Sequence, residues 1–512
     1  MRIRTLGAIA LAAGVMLAGP VAAETPQRGG VLIQAYVTEV TSMDAHQARA
    51  GDSRVMLGPY AAYLVYVDSE GNFLPGLATG WEWETETQLR LDLREGVTFH
   101  DGTPFNAEAV AFNVDRIAGR TEPAIVSPGA ADMRAVTGIE VVDDLTIRLS
   151  FDQVRAGFIQ QLGAYWAGML SPTAIEEMGD SFALAPVSAG PFRVTEYRPG
   201  AFVTYERFAD FYGVDEHGEQ LPYLDGMRLM ILPDNASRAA ALQAGDIHLD
   251  QRVEAAQVMQ LEADPNINIV EIPGFNARWI AFNTGLAPLD NVHVRRAIIH
   301  AINPEEINMA LHQGRAAPAN QFFSPTSWAH DPDAPWLEYS PEKAREEMAL
   351  AGFPDGFSFS AAHYGGPWRA EAELIQSQLR RVGIDMQVDA MDLASFSQLY
   401  RRDAVYHAGF TGHPMTARDP AHLFHSFHHS TGAFADPSRT TVYDEVIDRA
   451  LLTLDDAERG AVLSEAFRMV YERAGEAYYI WVPAHRAFRQ NVHGYVLYSD
   501  GTSDCVTCWL AR

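Results

Sequence analysis

Strand-type and helix-type hydrophobic patterns alternate along almost the whole chain, which restricts it to an α/β class with mixed sheets. Val31 to Val37 reads as an early strand. Leu89 to Arg94 alternates apolar and polar residues, as a half-buried strand does, and Glu95-Gly96 turns the chain into Val97-Thr98-Phe99-His100 and a tight Asp101-Gly102 turn. Asn106 is placed to cap a helix over Ala107–Ala118, with Val110, Ala111, Val114 and Ile117 as its stripe and Gly119 as its stop. Val141 to Leu149 reads as a hairpin turning at Asp143-Asp144. Further strands are expected over 221–232, 247–250 and 279–283, with a helix over 237–244 ended by Gly245.

The second half carries its own punctuation. A helix from Val294 stops at Ala301. Asn303-Pro304 starts the next, with Glu305 and Glu306 in its first turn, where they complement the helix dipole. Ser340-Pro341 opens another in the same way. Glu371 to Val382 is amphipathic and is followed by Gly383 and the alternating Ile384, Met386 and Val388, a helix–Gly–strand unit that reads as a parallel crossover. Helices over 443–452 and 458–473 and a buried strand over 478–483 complete the series.

The N-terminus sets the expected compartment. Arg2 and Arg4 precede an apolar stretch from Leu6 to Ala18, and Val21-Ala22-Ala23 offers small residues for cleavage, so residues 1–23 read as a secretory signal peptide. That run is too short to span a bilayer, and no cysteine follows it to carry a lipid. A free periplasmic protein is therefore expected. With 512 residues, about two to four cores are expected. The excess of 66 Asp+Glu over 38 Lys+Arg argues against nucleic acid or anionic lipid as a partner. The two cysteines, Cys505 and Cys508, read as a local staple or two free thiols rather than a catalytic pair.

Several ordered blocks resemble one family. Leu93 to Val110, running Leu-Arg-Glu-Gly-Val-Thr-Phe-His-Asp-Gly-Thr-Pro-Phe, then Asn-Ala-Glu-Ala-Val, looks like the signature segment of family 5 solute-binding proteins, which serve ABC importers of dipeptides, oligopeptides and nickel. Ser188-Ala189-Gly190-Pro191-Phe192 resembles the family's Gly-x-Gly-Pro-aromatic turn, with serine for the first glycine. Ile280 to Asn283, Val294 to Ile298, Ala301 to Asn303, Asp419-Pro420 and Val492 to Gly494 follow in the family's order. The resemblance implies a two-lobe periplasmic-binding-protein (Venus-flytrap) fold with hinge strands and an extra subdomain in lobe one. Carried onto this chain, lobe one spans 24–285 with an inserted subdomain at about 68–186. Lobe two spans 286–483, and 484–512 returns to lobe one. Trp279 to Asn283 and Tyr479 to Pro483 become the hinge strands.

The resemblance also implies a mechanism without bond chemistry, cofactor or metal: a monomer closes its lobes on a small-molecule or peptide ligand and presents it to a permease at the inner membrane. Three loops are expected to face the gap: Thr38 to His46, His363 to Arg369, and Phe410 to Asp419. Tyr364, Trp368 and Phe410 supply aromatic faces, Thr38, Thr411 and Gly412 polar or close contacts, and Arg369 and Asp419 charge for ligand ends. In peptide-binding relatives an aspartate captures the ligand's α-ammonium. Here the corresponding place reads Thr411-Gly412-His413, which speaks against reading a free amine. His407, His413, His422, His425, His428 and His429 cluster in sequence, but i, i+3 spacing without a carboxylate or cysteine beside it reads first as packing and surface rather than metal binding. A metal chelate, oligosaccharide or opine-like solute stays open as ligand, and a chaperone or sensor stays open as role. A hydrolase finds no Gly-x-Ser-x-Gly, His-Glu-x-x-His or Ser-x-x-Lys in a plausible setting.

Overall fold

The structure is a computed structural model. It describes residues 25–49, 53–68, 72–325, 327–366, 368–414, 419–432, 434–435, 437–438, 440–497 and 503–512. The expected signal peptide and residues 367 and 415–418 of the candidate loops lie outside the described residues.

The chain enters the molecule on β1 (Val31–Tyr36). An inserted antiparallel sheet follows, built from β2 (Ala78–Thr85), β3 (Gln88–Leu93), β4 (Val136–Asp143) and β5 (Thr146–Phe151) in the order β2-β3-β5-β4. Alternation in β3 puts Leu89, Leu91 and Leu93 on its buried face. Helix α1 (Ala107–Ala118) joins the same core through Val110, Val114 and Ile117, and the short α2 (Ala130–Arg134) follows it. Asn106 accepts the Ala109 N–H at 3.0 Å, and Gly119 takes φ 75°, where a side chain would be strained.

The chain then returns to the main sheet with β6 (Phe192–Arg198), β7 (Phe202–Arg207) and β8 (Gly226–Ile231), passes through α3 (Asn235–Ala244), and adds β9 (Leu249–Val253). Next comes β10 (Ile267–Phe282), a strand of 16 residues. The second half contributes α4 (Pro304–His312), β11 (Phe357–Tyr364), α5 (Trp368–Arg380), β12 (Ile384–Met391), β13 (Ala408–Pro414), α6 (Pro420–His428), α7 (Asp456–Glu472) and the 14-residue β14 (Glu476–Arg489). The main sheet runs β12-β11-β13-β10-β14-β9-β1-β8-β7-β6, and a short strand at Ala317–Pro318 pairs with β14. β11 and β12 are parallel and joined through α5, as the helix–Gly–strand pattern requires.

Two strands, β10 and β14, carry the sheet across the molecule. Ile267 to Ile272 pairs with Arg489 to Ala484, the register breaks, and Asn276 to Arg278 resumes opposite Val482 to Ile480. Buried side chains separate at that break. On one side lie the cores from Leu32 to Ile267, joined by Ala487, Val492 and Cys508; on the other lie those from Ala277 to Val482. A sheet this long cannot twist continuously over a single core, so an irregular step between two packed halves is where it can flex. The C-terminal segment adds Val492 and Cys508 to the core that holds Leu32: Val492 pairs with Leu510, His493 stacks on Trp509, and Cys505 is disulfide-bonded to Cys508. Of the two readings left open for the cysteines, the bonded staple is the one found.

Candidate functional site

Strands β10 and β13 and helix α5 meet near the register break. Arg278 lies in β10 inside the run Ala277-Arg278-Trp279-Ile280, opposite Gly412 of β13 and Ile480 of β14. Its guanidinium carbon lies 5.1 Å from the Trp368 ring, and Nη1 donates to Oε1 of Glu371 in the first turn of α5. Gly412 lets the strand approach that ring: a Cβ there would lie 2.7 Å from Trp368 Cη2 and 2.4 Å from the Ala277 carbonyl. Glu371 is almost fully buried and receives two further bonds, from Tyr479 at 2.7 Å and His312 of α4 at 3.2 Å. Burial alone would raise its pKa, but the Arg278 charge and these hydrogen bonds outweigh it and hold the carboxyl ionised. Arg278 Nε and Nη2 make no hydrogen bond among the described residues.

On the lobe-one side, the loop after β1 is pinned from below. Arg116 of α1 donates to both oxygens of Asp44, at 3.1 and 2.6 Å, and to His46 Nδ1 at 2.8 Å. Because the guanidinium only donates, His46 Nδ1 accepts and its Nε2–H donates to the Gly168 carbonyl at 2.9 Å. Burial, with Arg116 adding to it, pushes the His46 pKa down to about 4, so the ring is neutral.

The two lobes also meet at a rim. Asp419 caps α6, accepting the N–H groups of Ala421 and His422 at 3.0 and 3.1 Å, and pairs with Arg459 of α7. His422 Nδ1 lies 3.3 Å from the same carboxylate. Burial opposes charge on His422, but the Asp419 hydrogen bond and field, helped by Asp132 of α2 in lobe one, prevail and raise its pKa. Nearer the register break, Arg315 of lobe two pairs with Glu262 of lobe one at 2.6 Å.

Two separately packed halves joined by two long strands are the arrangement of a hinged two-lobe protein. The family model described as "Bacterial extracellular solute-binding proteins, family 5 Middle" matches residues 72–435, well over half of the chain. The chain is a family 5 solute-binding protein. Among its curated relatives is the glutathione-binding protein GsiB of Shigella flexneri, 31% identical over 70% of this chain and 69% of that protein; GsiB of Escherichia coli strain K12 is 30% identical over the same shares. The periplasmic binding protein DppA of Helicobacter pylori, solved with the peptide STSA, superposes with a TM-score of 0.79 at 25% identity, covering 95% of this chain and 99% of that one. HbpA2 of Haemophilus parasuis has a TM-score of 0.83 at 22% identity, covering 94% and 100%, which shows the shared fold. As a family 5 solute-binding protein, the chain is the binding component of an ABC importer and not an enzyme, and its family works outside the cytoplasm.

In this family 5 solute-binding protein the expected site residues are placed unevenly. Trp368 and Gly412 come together with Arg278, and Tyr364 packs beside Trp368, 5.9 Å between ring centroids. Thr411 is buried, opposite Trp279, and its Oγ1 makes no hydrogen bond among the described residues. Thr38 is exposed at the end of β1. Phe410 is fully buried in a lobe-two core, paired with Ile280, because the strand alternation that leaves Thr411 on one face sends Phe410 to the other. His413 packs its ring against Phe322 and Phe427. Arg369 is 78% exposed and paired with Glu373, the solvated face of a helix start. Asp419 is committed to capping α6 and neutralising Arg459, so its oxygens are already engaged. The sequence histidine cluster separates only in part: His407 bonds Ser360 and His428 bonds Glu476, whereas His425 and His429 stack with 4.3 Å between ring centroids and His429 lies near Asp444 and Asp448. Among the described residues no group of three His, Cys, Asp or Glu is placed to hold a metal ion.

Arg278, Glu371, His312 and Tyr479 were not foreseen as a unit. The signal was present in part. Arg278 is the lone charge in the buried run Ala277 to Phe282, and Glu371 falls on the same helical stripe as Leu374, Ile375 and Leu379. Two opposite charges on apolar faces of different elements are candidates to meet.

Proposed function

We propose that this receptor captures a short peptide or peptide-like solute of the glutathione class, gripping it between Arg278 on lobe two and the loop after β1 on lobe one. The observation that carries this reading is Arg278. It is held against Trp368 and balanced by Glu371, while Nε and Nη2 make no hydrogen bond within the described protein. A planar cation fixed in that way is suited to a ligand carboxylate or amide carbonyl. GsiB and DppA, the relatives with the greatest identity reported above, are named for glutathione and solved with a peptide respectively, which supports the same class. By the family resemblance the place of the aspartate that meets an α-ammonium reads Thr411-Gly412-His413 here, so the reading favours recognition through acidic and amide groups over a free amine.

The same reading includes secretion with cleavage after Ala23, a monomer free in the periplasm, and handover to a permease at the inner membrane. It places the boundary between lobes at the β10 register break, near 273–275, rather than at 285, because the buried cores divide there. Calorimetric titration with glutathione, glutathione disulfide, an unmodified tripeptide, an amine-blocked tripeptide and nickel–histidine tests it. Saturable heat with glutathione or the tripeptides and none with nickel–histidine is expected, with the amine-blocked peptide binding as well as the free one. Binding of nickel–histidine alone would overturn the proposal.

A further inference from the structure

We infer that Gly157 is the surface on which the lobes close, kept free of a side chain so that lobe two can seat on it. Gly157 precedes the short helix Phe158–Gln161 of lobe one. Its backbone sits at φ −82°, ψ 6°, a conformation open to any L residue, so the turn itself does not require glycine. Space does. A Cβ at 157 would lie 2.9 Å from Asp419 Cγ, 3.0 Å from His422 Nδ1 and 3.1 Å from Asp419 Cβ. All three of these nearest atoms belong to lobe two.

The two Asp419 atoms have little freedom to move aside. Asp419 is 2% exposed, caps α6 through Oδ1 and pairs with Arg459 through Oδ2, and Arg459 is buried as well. The contact is therefore backbone of one lobe against a braced helix start of the other, and relief has to come from the lobes themselves. Because the strain exists only when the lobes touch, a side chain at 157 penalises the closed form and leaves the open form alone. A ligand that binds the closed form then meets a smaller competent population, and its apparent affinity falls by that factor.

The inference rests on the capture reading for its effect on affinity, but the contact can be tested without ligand. Cysteines introduced at the exposed positions Glu177 of lobe one and Glu445 of lobe two carry spin labels for distance measurement, in wild type and in Gly157→Ala, free and with glutathione or a tripeptide. The expected result is a short-distance population in wild type that is depleted in Gly157→Ala under every condition. Affinity for whichever probe binds should weaken by about 10- to 100-fold, the range for forced overpacking of a rigid contact. The unfolding midpoint of free Gly157→Ala should stay within about 2 °C of wild type. Equal short-distance populations in the two proteins would overturn the inference, and so would a wild type that never shows the short distance. A short distance that appears without any response to peptides, and is lost in Gly157→Ala, would uphold the contact while removing the peptide reading.

Discussion

Arg278 sits in a strand whose neighbours are almost all buried, so its charge has to be answered inside the protein. Glu371 answers it, and His312 and Tyr479 use the remaining acceptor capacity of that carboxylate. The unit has a structural and a binding role that mutation can separate. Tyr479→Phe removes one hydrogen bond to a charged acceptor and should cost about 1.5–3 kcal/mol of stability in denaturant unfolding, with ligand affinity changed little. Arg278→Ala strands a buried carboxylate and should cost about 3–5 kcal/mol, and it should also abolish binding in calorimetry. If Arg278→Ala bound glutathione and the tripeptides as wild type does, Arg278 would be a structural residue only. Asp419 shows the complementary case: a residue expected to hold a ligand charge instead satisfies a helix terminus and a neighbouring arginine.

Helices were the most legible elements, because their ends are written in local chemistry. Asn106, Asn303 and Ser340 each accept a backbone N–H in the first turn of the helix they precede, while Asp234 caps a helix that starts at Asn235, two residues before the expected 237. Asn106→Ala should therefore lower stability by about 1 kcal/mol, seen as a shift of the denaturant midpoint at unchanged slope. The long strands were legible only in part. Trp279 to Asn283 and Tyr478 to Pro483 stand out as apolar runs, yet the strands extend to Ile267 and Arg489. Their lobe-one halves are amphipathic, with exposed Asn268 and Glu271 beside buried Ile267 and Ile272, and no single-strand pattern says which strand such a segment will pair with. For the same reason the register break, which only the pairing reveals, was not foreseen. Which side of β13 faces α5 depends on tertiary packing, so the sequence does not say which of Phe410 to His413 turns toward Trp368.

At the level of the whole molecule, acid should loosen lobe one. His46 is buried, His100 is partly buried, and both are neutral, each with its pKa pushed down to about 4 by loss of solvent, with Arg116 assisting at His46. In the unfolded chain both return to about 6.5, so between these values the unfolded state binds more protons and stability falls as pH drops from about 6.5 to 4. The loss should be on the order of 2 kcal/mol per histidine by pH 5, partly offset by His422, whose raised pKa works in the opposite sense. Unfolding midpoints measured from pH 7 to 4.5 check this, and His46→Gln should flatten part of the slope. On the proposed function, solute is bound by drawing two separately packed lobes together about β10 and β14. Small-angle X-ray scattering, with and without the solute that calorimetry identifies, tests this most directly. The account predicts that saturation lowers the radius of gyration in wild type and does so less in Gly157→Ala. Saturable binding with an unchanged scattering profile in wild type would contradict capture by closure.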